Sequence, residues 1–388
     1  MHPHDDEGKD MHRRIVLATI DGGGVDYFDR SDIPNIRAMM RNGFYVEGSS
    51  MIPSVTNVNN VSIVTGQLPS EHGITSNYWY SPQTGEGVFM ESPEYLLIDT
   101  IFERIRPLGL RSCLLTSKDK LKRILETGTE ISFSAEYPPE EYQRVIGPAE
   151  KIYSAEINHW LFRSLRHLLA ERRDIDIFYV STTDYIMHRH APEEEASMHH
   201  LAEIDRLLGI ILDENPDLEI YLTADHGMSP KRTALNLASL LAEEGIESVF
   251  VPAIKDRYVL HHDNLGGVGY LHVISRNRDD SRDEGRIREA MAILGEIGGV
   301  EEVYDAPEAA QRFGLLKERI GDIMVLGEAD CVFGDIEGKE CEVDIRSHGS
   351  RYESRIPIIG YNSPLDPKSL GENRDIVKNL SRRWMQEE

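Results

Sequence analysis

What most constrains this chain is an alternation of short, apolar, β-branched or aromatic-rich runs with stretches of helical periodicity. RIVLATIDG, GLRSCLLTS, IDIFYVSTTD and LEIYLTADHG are the strand-like runs, each ending in small or polar residues. Between them IPNIRAMMRNG, closed by Gly43, and EEEASMHHLAEIDRLLGIILDE read as helices. In the second, Met198, Leu201, Ile204, Leu208 and Ile211 recur at three and four. Strands that are apolar on both faces and separated by helices are satisfied by a mainly parallel sheet with helices on each side. The expected fold class is α/β.

A second texture occupies 233–344, where the strand-like pieces YVLHH, GVGYLHVIS and DIMVLG surround the charged helix DEGRIREAMAILGEIG. We expect an inserted, smaller α+β cap subdomain at 233–344 on a core formed by 13–232 and 345–388. Ser117 to Ala149 reads as a second, looser excursion. No apolar run approaches the roughly 18 residues of a membrane span. MHPHDDEGKDMHRR lacks the hydrophobic centre of a signal peptide, so the expected location is cytoplasmic. A net charge of −25 argues against a nucleic-acid partner, because phosphate backbones need a basic footprint. An anionic substrate would need its own local positive charge. Cys113, Cys331 and Cys341 are odd in number and lack CxxC spacing. They are expected to be buried thiols rather than a disulfide framework or a thiolate zinc site. There is no GxxxxGK[ST], GxGxxG or GxSxG, which removes P-loop, dinucleotide-binding and serine-hydrolase readings.

Three strand-like runs end in aspartate: Asp21, Asp184 and Asp225. In an open α/β sheet the carboxyl ends of the strands form the ligand crevice. Any one of these residues could simply cap the next helix, but three converging there would need a cation. Asp184 and His188 share a helical face if Tyr185 starts a helix. Asp225 and His226 are adjacent, and His348 follows far downstream in RSHGSRYE. Carboxylate and imidazole together suit zinc or a similar divalent ion. His190, His199, His200, His261 and His262 have no such partners and are expected to be solvated or locally bonded. Spacing alone leaves a two-metal site and a chance arrangement both open.

The TID at 19–21, the TNVNNVSIVTG loop, the HG at 72–73, TTDYIMH, TADHGM and the late SHG together resemble the alkaline phosphatase superfamily. They resemble its nucleotide pyrophosphatase/phosphodiesterase branch in particular. TSKDKLKRIL, HHDNLGG, RIGDIMVLG and RSHGS are similar to segments of the phosphonoacetate-hydrolysing members of that branch. The resemblance implies an alkaline-phosphatase-like three-layer core. It implies one zinc bound by Asp21, Thr56, Asp225 and His226 and a second bound by Asp184, His188 and His348, with iron or manganese as alternatives.

By position alone Thr56, in PSVTNVNNVSIVTG, reads as a helix N-cap. With a metal beside it the resemblance makes its hydroxyl a nucleophile, since coordination lowers a hydroxyl pKa and the helix start favours anions. Asn77 matches the position whose amide binds a phosphoryl oxygen, with the Asn57 N–H as a second donor. Asn59 and Asn60 are expected to hold the loop. Two divalent ions against three aspartates leave about +1, enough for a phosphoryl group but not for a second anion. Lys118 and Lys120 are the implied partners of a substrate carboxylate.

The implied reaction is hydrolysis of phosphonoacetate, a small anionic phosphonate, to acetate and phosphate through a phosphothreonine. A phosphodiesterase or nucleotide pyrophosphatase is the alternative, with Tyr78, Trp79 and Tyr80 as candidates for a base slot. A non-catalytic relative is the reading from another class. Oligomeric state stays open, a homodimer among the options.

Overall fold

The computed structural model describes residues 13–257, 263–275 and 283–385. The N-terminal tail, the YVLHH piece and His261 and His262 lie outside the described residues. The organising element is a seven-stranded sheet. Its order is Phe44–Ser49, Arg355–Tyr361, Glu219–Thr223, Ile15–Thr19, Ile177–Ser181, Ser112–Thr116 and Ile131–Ser134. The last five strands run parallel; beside them Arg355–Tyr361 runs antiparallel, and Phe44–Ser49 at the edge pairs antiparallel with it. The fold is thus the expected α/β arrangement with a mainly parallel sheet.

Alternate residues of one strand serve opposite cores, which explains why the strand-like runs are apolar throughout. Ile15 and Leu17 pack with Leu114, Tyr179 and the helix Thr56–Thr65. Val16 and Ala18 pack with Leu115, Phe178 and the helices Glu156–Glu171 and Glu195–Glu214. The Ser117–Ala149 stretch departs from the looser expectation, because Ile131–Ser134 pairs in parallel with Ser112–Thr116 and closes the sheet edge. His200 also differs from expectation. It is fully buried and bonds His159 through His159 Nε2 at 3.1 Å; the HH pair reads as polar, although one of the two histidines lies on the packed face of its helix.

Downstream of residue 228 lie two smaller sheets. One is four-stranded and antiparallel: Ser248–Pro252, Val268–Val273, Ile323–Gly327 and Val300–Asp305. It packs with the helix Glu284–Leu294 around its own apolar cluster. The other contains Ser229–Leu235 between Cys331–Phe333 and Glu340–Ser347. Ser347 pairs with Ser229, so the chain leaving this sheet returns beside the strand end that carries Asp225. No helix among the described residues is long and apolar enough to cross a membrane. All three cysteines are free, Cys113 and Cys331 buried and Cys341 partly so.

Candidate functional site

Four neighbouring parallel strands deliver their carboxyl ends to one rim. Glu219–Thr223 leads to Asp225 and His226, Ile15–Thr19 to Asp21, Ile177–Ser181 to Asp184 and His188, and Ser112–Thr116 to Lys118 and Lys120. The backbone allows close approach at Gly22, whose φ is +72° and where a Cβ would stand 3.2 Å from the Asp184 Cβ. A side chain there would be strained and would push against Asp184.

Thr56 is the first residue of the helix Thr56–Thr65, and Val55, not Thr56, occupies the N-cap position without a side-chain cap bond. The hydroxyl is therefore not spent on capping. Its Oγ1 lies 3.4 Å from Asp21 Oδ1 and 3.3 Å from His226 Nε2. His226 Nε2 is 3.3 Å from Asp21 Oδ1 and 3.8 Å from Asp225 Oδ2. On the other side Asp184 Oδ2 is 3.0 Å from His188 Nε2 and 3.8 Å from His348 Nε2. His226 and His348 stack at 3.7 Å. Ligand-type atoms of Asp21, Asp225 and His226, and of Asp184, His226 and His348, lie within 4.8 Å of one another. All seven candidate ligand positions thus meet at one place.

Tautomers decide what that place can hold. Nδ1 of His188, His226 and His348 each lies 2.8 Å from a backbone carbonyl, of Arg346, Gly227 and Ser54 respectively. A carbonyl only accepts, so each Nδ1 carries a proton, and in the neutral form of the ring Nε2 is then a lone pair. Those lone pairs face carboxylate oxygens, acceptor against acceptor, an arrangement that fits a cation between them. Asp21 Oδ2 is buried and accepts no hydrogen bond among the described residues. Burial, with Asp184 and Asp225 nearby, pushes the Asp21 carboxyl well above its usual range. Burial raises Asp225 to about 7, against a bond with Asp21 that lowers it. Burial pushes His226 down, and burial together with His226 and His188 pushes His348 far down. Raised carboxyls and depressed imidazoles are the expected state of a ligand set without its positive charge. The donor set fits two divalent ions.

The cationic side chains are present too. Lys118 Nζ stands 2.8 Å from Asp184 Oδ1 and 3.7 Å from Asp21 Oδ2. Burial opposes its charge, but Asp184 and Asp21 outweigh it and hold the ammonium pKa above its usual value. Lys120 pairs with Asp256, whose Oδ1 also accepts from Asn77 Nδ2 at 3.1 Å. Thr56, Asn57, Asn77, Lys118 and Lys120 line one small cavity of about 20 Å³. A neighbouring cavity of about 240 Å³ shares Lys118, Lys120 and Asp256 and is edged by Tyr137 and Tyr153. Tyr78, Trp79 and Tyr80 lie on the strand Tyr78–Ser81, part-buried against the core, and line neither of these cavities.

Supporting residues emerge that sequence reasoning placed elsewhere or passed over. Asn59 holds the loop, its Nδ2 donating to Met51, Pro53 and Val55 carbonyls. Asn60 does more: Nδ2 donates to Asp225 Oδ2 at 3.1 Å while Oδ1 accepts from Tyr179 at 2.6 Å. Asn158 Oδ1 accepts from Ser117 Oγ at 2.7 Å and from Thr183 N at 2.9 Å. It thereby ties the residue before Lys118 to the residue before Asp184. Glu353, fully paired with buried Lys231 at 2.8 Å, clamps the loop after His348. A visible signal existed for Asn60, an amide one helical turn after Thr56 in TNVNNVSIVT; Asn158 and Lys231 carried none.

The sequence matches the type I phosphodiesterase / nucleotide pyrophosphatase family over residues 15–351. A curated relative, bis(5'-adenosyl)-triphosphatase enpp4 of Xenopus laevis, is 24% identical over 229 residues, 56% of this chain and 47% of that protein. The chain spans about half the length, or less, of the curated relatives it matches. Among solved structures, phosphonoacetate hydrolase from Sinorhizobium meliloti 1021 in complex with phosphonoacetate superposes with a TM-score of 0.84. Identity is 31%, covering 94% of this chain and 95% of that one. Murine ectonucleotide pyrophosphatase / phosphodiesterase 5 shares the fold at 14% identity, with a TM-score of 0.68 and coverage of 96% and 95%.

Proposed function

The chain belongs to the type I phosphodiesterase / nucleotide pyrophosphatase family, and from that premise we propose that it hydrolyses the carbon–phosphorus bond of phosphonoacetate to acetate and phosphate. The observation that carries this reading is the placement of Lys118 and Lys120 in the same cavity as Thr56, where a substrate with a second anion needs them. The 31% identity to the Sinorhizobium phosphonoacetate hydrolase along almost the whole chain supports it.

In this reading Asp21, Thr56, Asp225 and His226 hold one divalent ion, and Asp184, His188 and His348 hold the other, zinc being the first choice and iron or manganese alternatives. Bound there, the ions would supply Lewis acidity that makes a hydroxyl and a water nucleophilic near neutral pH. Thr56 Oγ attacks phosphorus, its proton having Asp21 Oδ1 and His226 Nε2 within 3.4 Å. The O–P bond forms as the C–P bond breaks, and the electron pair passes to the methylene carbon. The neighbouring carboxylate, gripped by Lys118 and Lys120, spreads that pair as an enolate, and protonation at carbon completes acetate. Water then cleaves the phosphothreonine from the opposite side. Asn77 and the Asn57 N–H at the helix start donate to the phosphoryl oxygens, each worth about 3 kcal/mol in the transition state. The 233–344 segment acts as a cap, contributing Ile254 and Asp256 to the cavity.

A phosphodiesterase or nucleotide pyrophosphatase is the second reading, favoured by the family itself and by the cavity of about 240 Å³ next to the rim. A release assay separates the two. Phosphonoacetate turned over ahead of para-nitrophenyl phosphate and a nucleotide diester, and lost on chelation, supports the first. Preference for the diester would replace it with the second.

A further inference from the structure

Asp256 meets two groups that the proposed reaction gives to opposite ends of its substrate. Its Oδ1 accepts from Asn77 Nδ2 at 3.1 Å and from the Lys120 ammonium. We propose that Asp256 is a positioning residue that sets specificity: by holding both donors on one oxygen it selects phosphonates whose carboxylate lies one carbon from phosphorus. The inference deepens the phosphonoacetate reading given above and rests on it.

Donor counting supports the arrangement. A carboxylate paired with an ammonium only accepts, so the Asn77 amide must turn its nitrogen toward Asp256. That nitrogen has a second hydrogen left for a phosphoryl oxygen, and the Lys120 ammonium has two left for a carboxylate. The donors meet at a single oxygen, so they stand no more than two hydrogen-bond lengths apart, about 6 Å. The two anionic groups of a phosphonate with its carboxylate on the adjacent carbon suit that span, and each further methylene carries them apart. Asp256 and Lys120 also line both the cavity of about 20 Å³ that holds Thr56 and the cavity of about 240 Å³ beside it. The pair therefore stands where a longer ligand would have to pass.

The loop that carries Asp256 is built to hold it in place. Its neighbours Lys255 and Arg257 lie over the rings of Tyr78 and Phe89, at 4.6 and 4.7 Å from the centroids. Those rings pack edge to face on the hairpin that follows Asn77. Asn77 N donates to Ala253 O at 3.3 Å, joining hairpin and loop through the backbone as well. Asn264 brackets Asp256, its Oδ1 accepting from Asp256 N at 2.9 Å and its Nδ2 donating to Asp256 O at 3.2 Å. It does so at φ +53°, a left-handed conformation that asparagine tolerates better than most residues. With side chains 16% and 19% exposed, Asp256 and Lys120 form a largely desolvated pair. Removing one partner of such a pair costs more than removing a surface charge.

The test is calorimetric binding to the full chain loaded with Zn2+, in a Thr56→Ala background so that ligand is not consumed. Phosphonoacetate is compared with 3-phosphonopropionate, one methylene longer, in the parent and with D256N or D256A added. The proposal expects the parent to bind phosphonoacetate at least about tenfold more tightly than the longer acid. It expects both variants to lose about tenfold or more for phosphonoacetate and much less for 3-phosphonopropionate, so that the preference disappears. D256N keeps the shape and decides the matter if D256A does not fold. A preference that survives in D256N overturns the proposal, as do equal losses for both acids, the pattern of a merely structural ion pair. A parent without preference, or a D256N chain that does not fold, overturns it too. Because binding is read apart from turnover, a wild-type chain that fails to cleave phosphonoacetate would count against the reaction alone and leave the binding preference to be judged by itself.

Discussion

His226 and His348 lie face to face, their ring centroids 3.7 Å apart and their planes 8° from parallel. Two imidazoles in that contact, both buried, cannot carry charge together. Each donates Nδ1–H to a carbonyl and points its Nε2 lone pair toward aspartate oxygens. The pair joins the late SHG segment to the strand-end aspartates, and the account of the ion-binding rim is built around it.

Ion binding should strengthen with pH. With Asp225 raised to about 7 and Asp21 raised as well, the ion-free rim holds protons near neutrality that a divalent cation must expel. Calorimetry in buffers of different ionisation enthalpy should therefore detect proton release, with affinity falling as pH drops below about 7. Equal affinity at about pH 6 and about pH 8 would contradict the assignment of these carboxyls.

Replacing the proposed nucleophile should be decisive. Thr56→Ala is expected to lower turnover by at least about 10³-fold, while ion content, measured by mass spectrometry, falls little because Asp21, Asp225 and His226 remain. Thr56→Ser should keep measurable activity. A Thr56→Ala enzyme within tenfold of wild type would remove the covalent route.

The lysines should act on one substrate and not on another. Lys120→Ala removes a charge-assisted partner worth roughly 1.5–3 kcal/mol, so KM for phosphonoacetate should rise about 10- to 100-fold. Para-nitrophenyl phosphate, which lacks the second anion, should be affected far less. Equal losses on both would argue that Lys120 has a structural role only.

Asn60 should matter through Asp225. Its Nδ2 donates to Asp225 Oδ2 at 3.1 Å, and outer partners of this kind typically contribute about 10- to 100-fold to ion affinity or activity. Asn60→Ala should weaken ion binding by that order in calorimetry, and Tyr179→Phe, which frees Asn60 Oδ1, should do so more mildly.

Acid should destabilise the fold through buried neutral histidines. Burial pushes His72 down to about 3, whereas in the unfolded chain it titrates near 6.5. The folded state therefore takes up fewer protons below about 6.5, and stability falls as pH drops from there toward about 3. The slope from one such group is at most about 1.4 kcal/mol per pH unit. His200, also lowered to about 3 by burial, adds in the same direction. In His72→Gln the urea midpoint should decline less between about pH 7 and about pH 5 than in wild type.

The parallel core was legible because its strands bury both faces and therefore read as apolar runs, and because Asp21, Asp184 and Asp225 sit at their ends. The candidate ligand residues that the fold brings together were legible through short motifs that each place one or two groups. Less was legible wherever a role depends on contacts far apart in sequence. Asn158 bridges Ser117 and Thr183, and nothing within its own helix indicates that. Lys231 and Glu353 form a fully buried ion pair between segments more than a hundred residues apart, though each alone reads as a surface charge. Thr56 looked like a cap because threonine so often is one. Which residue holds the N-cap depends on local backbone angles, and those belong to Val55.

The most direct measurement is an acid quench of ion-loaded protein during turnover of phosphonoacetate, with the peptide containing Thr56 read by mass spectrometry and released acetate counted alongside. The account predicts a phosphate adduct on Thr56 that appears with acetate and decays as free phosphate accumulates. Acetate and phosphate released together at full rate, with Thr56 never modified, would contradict it.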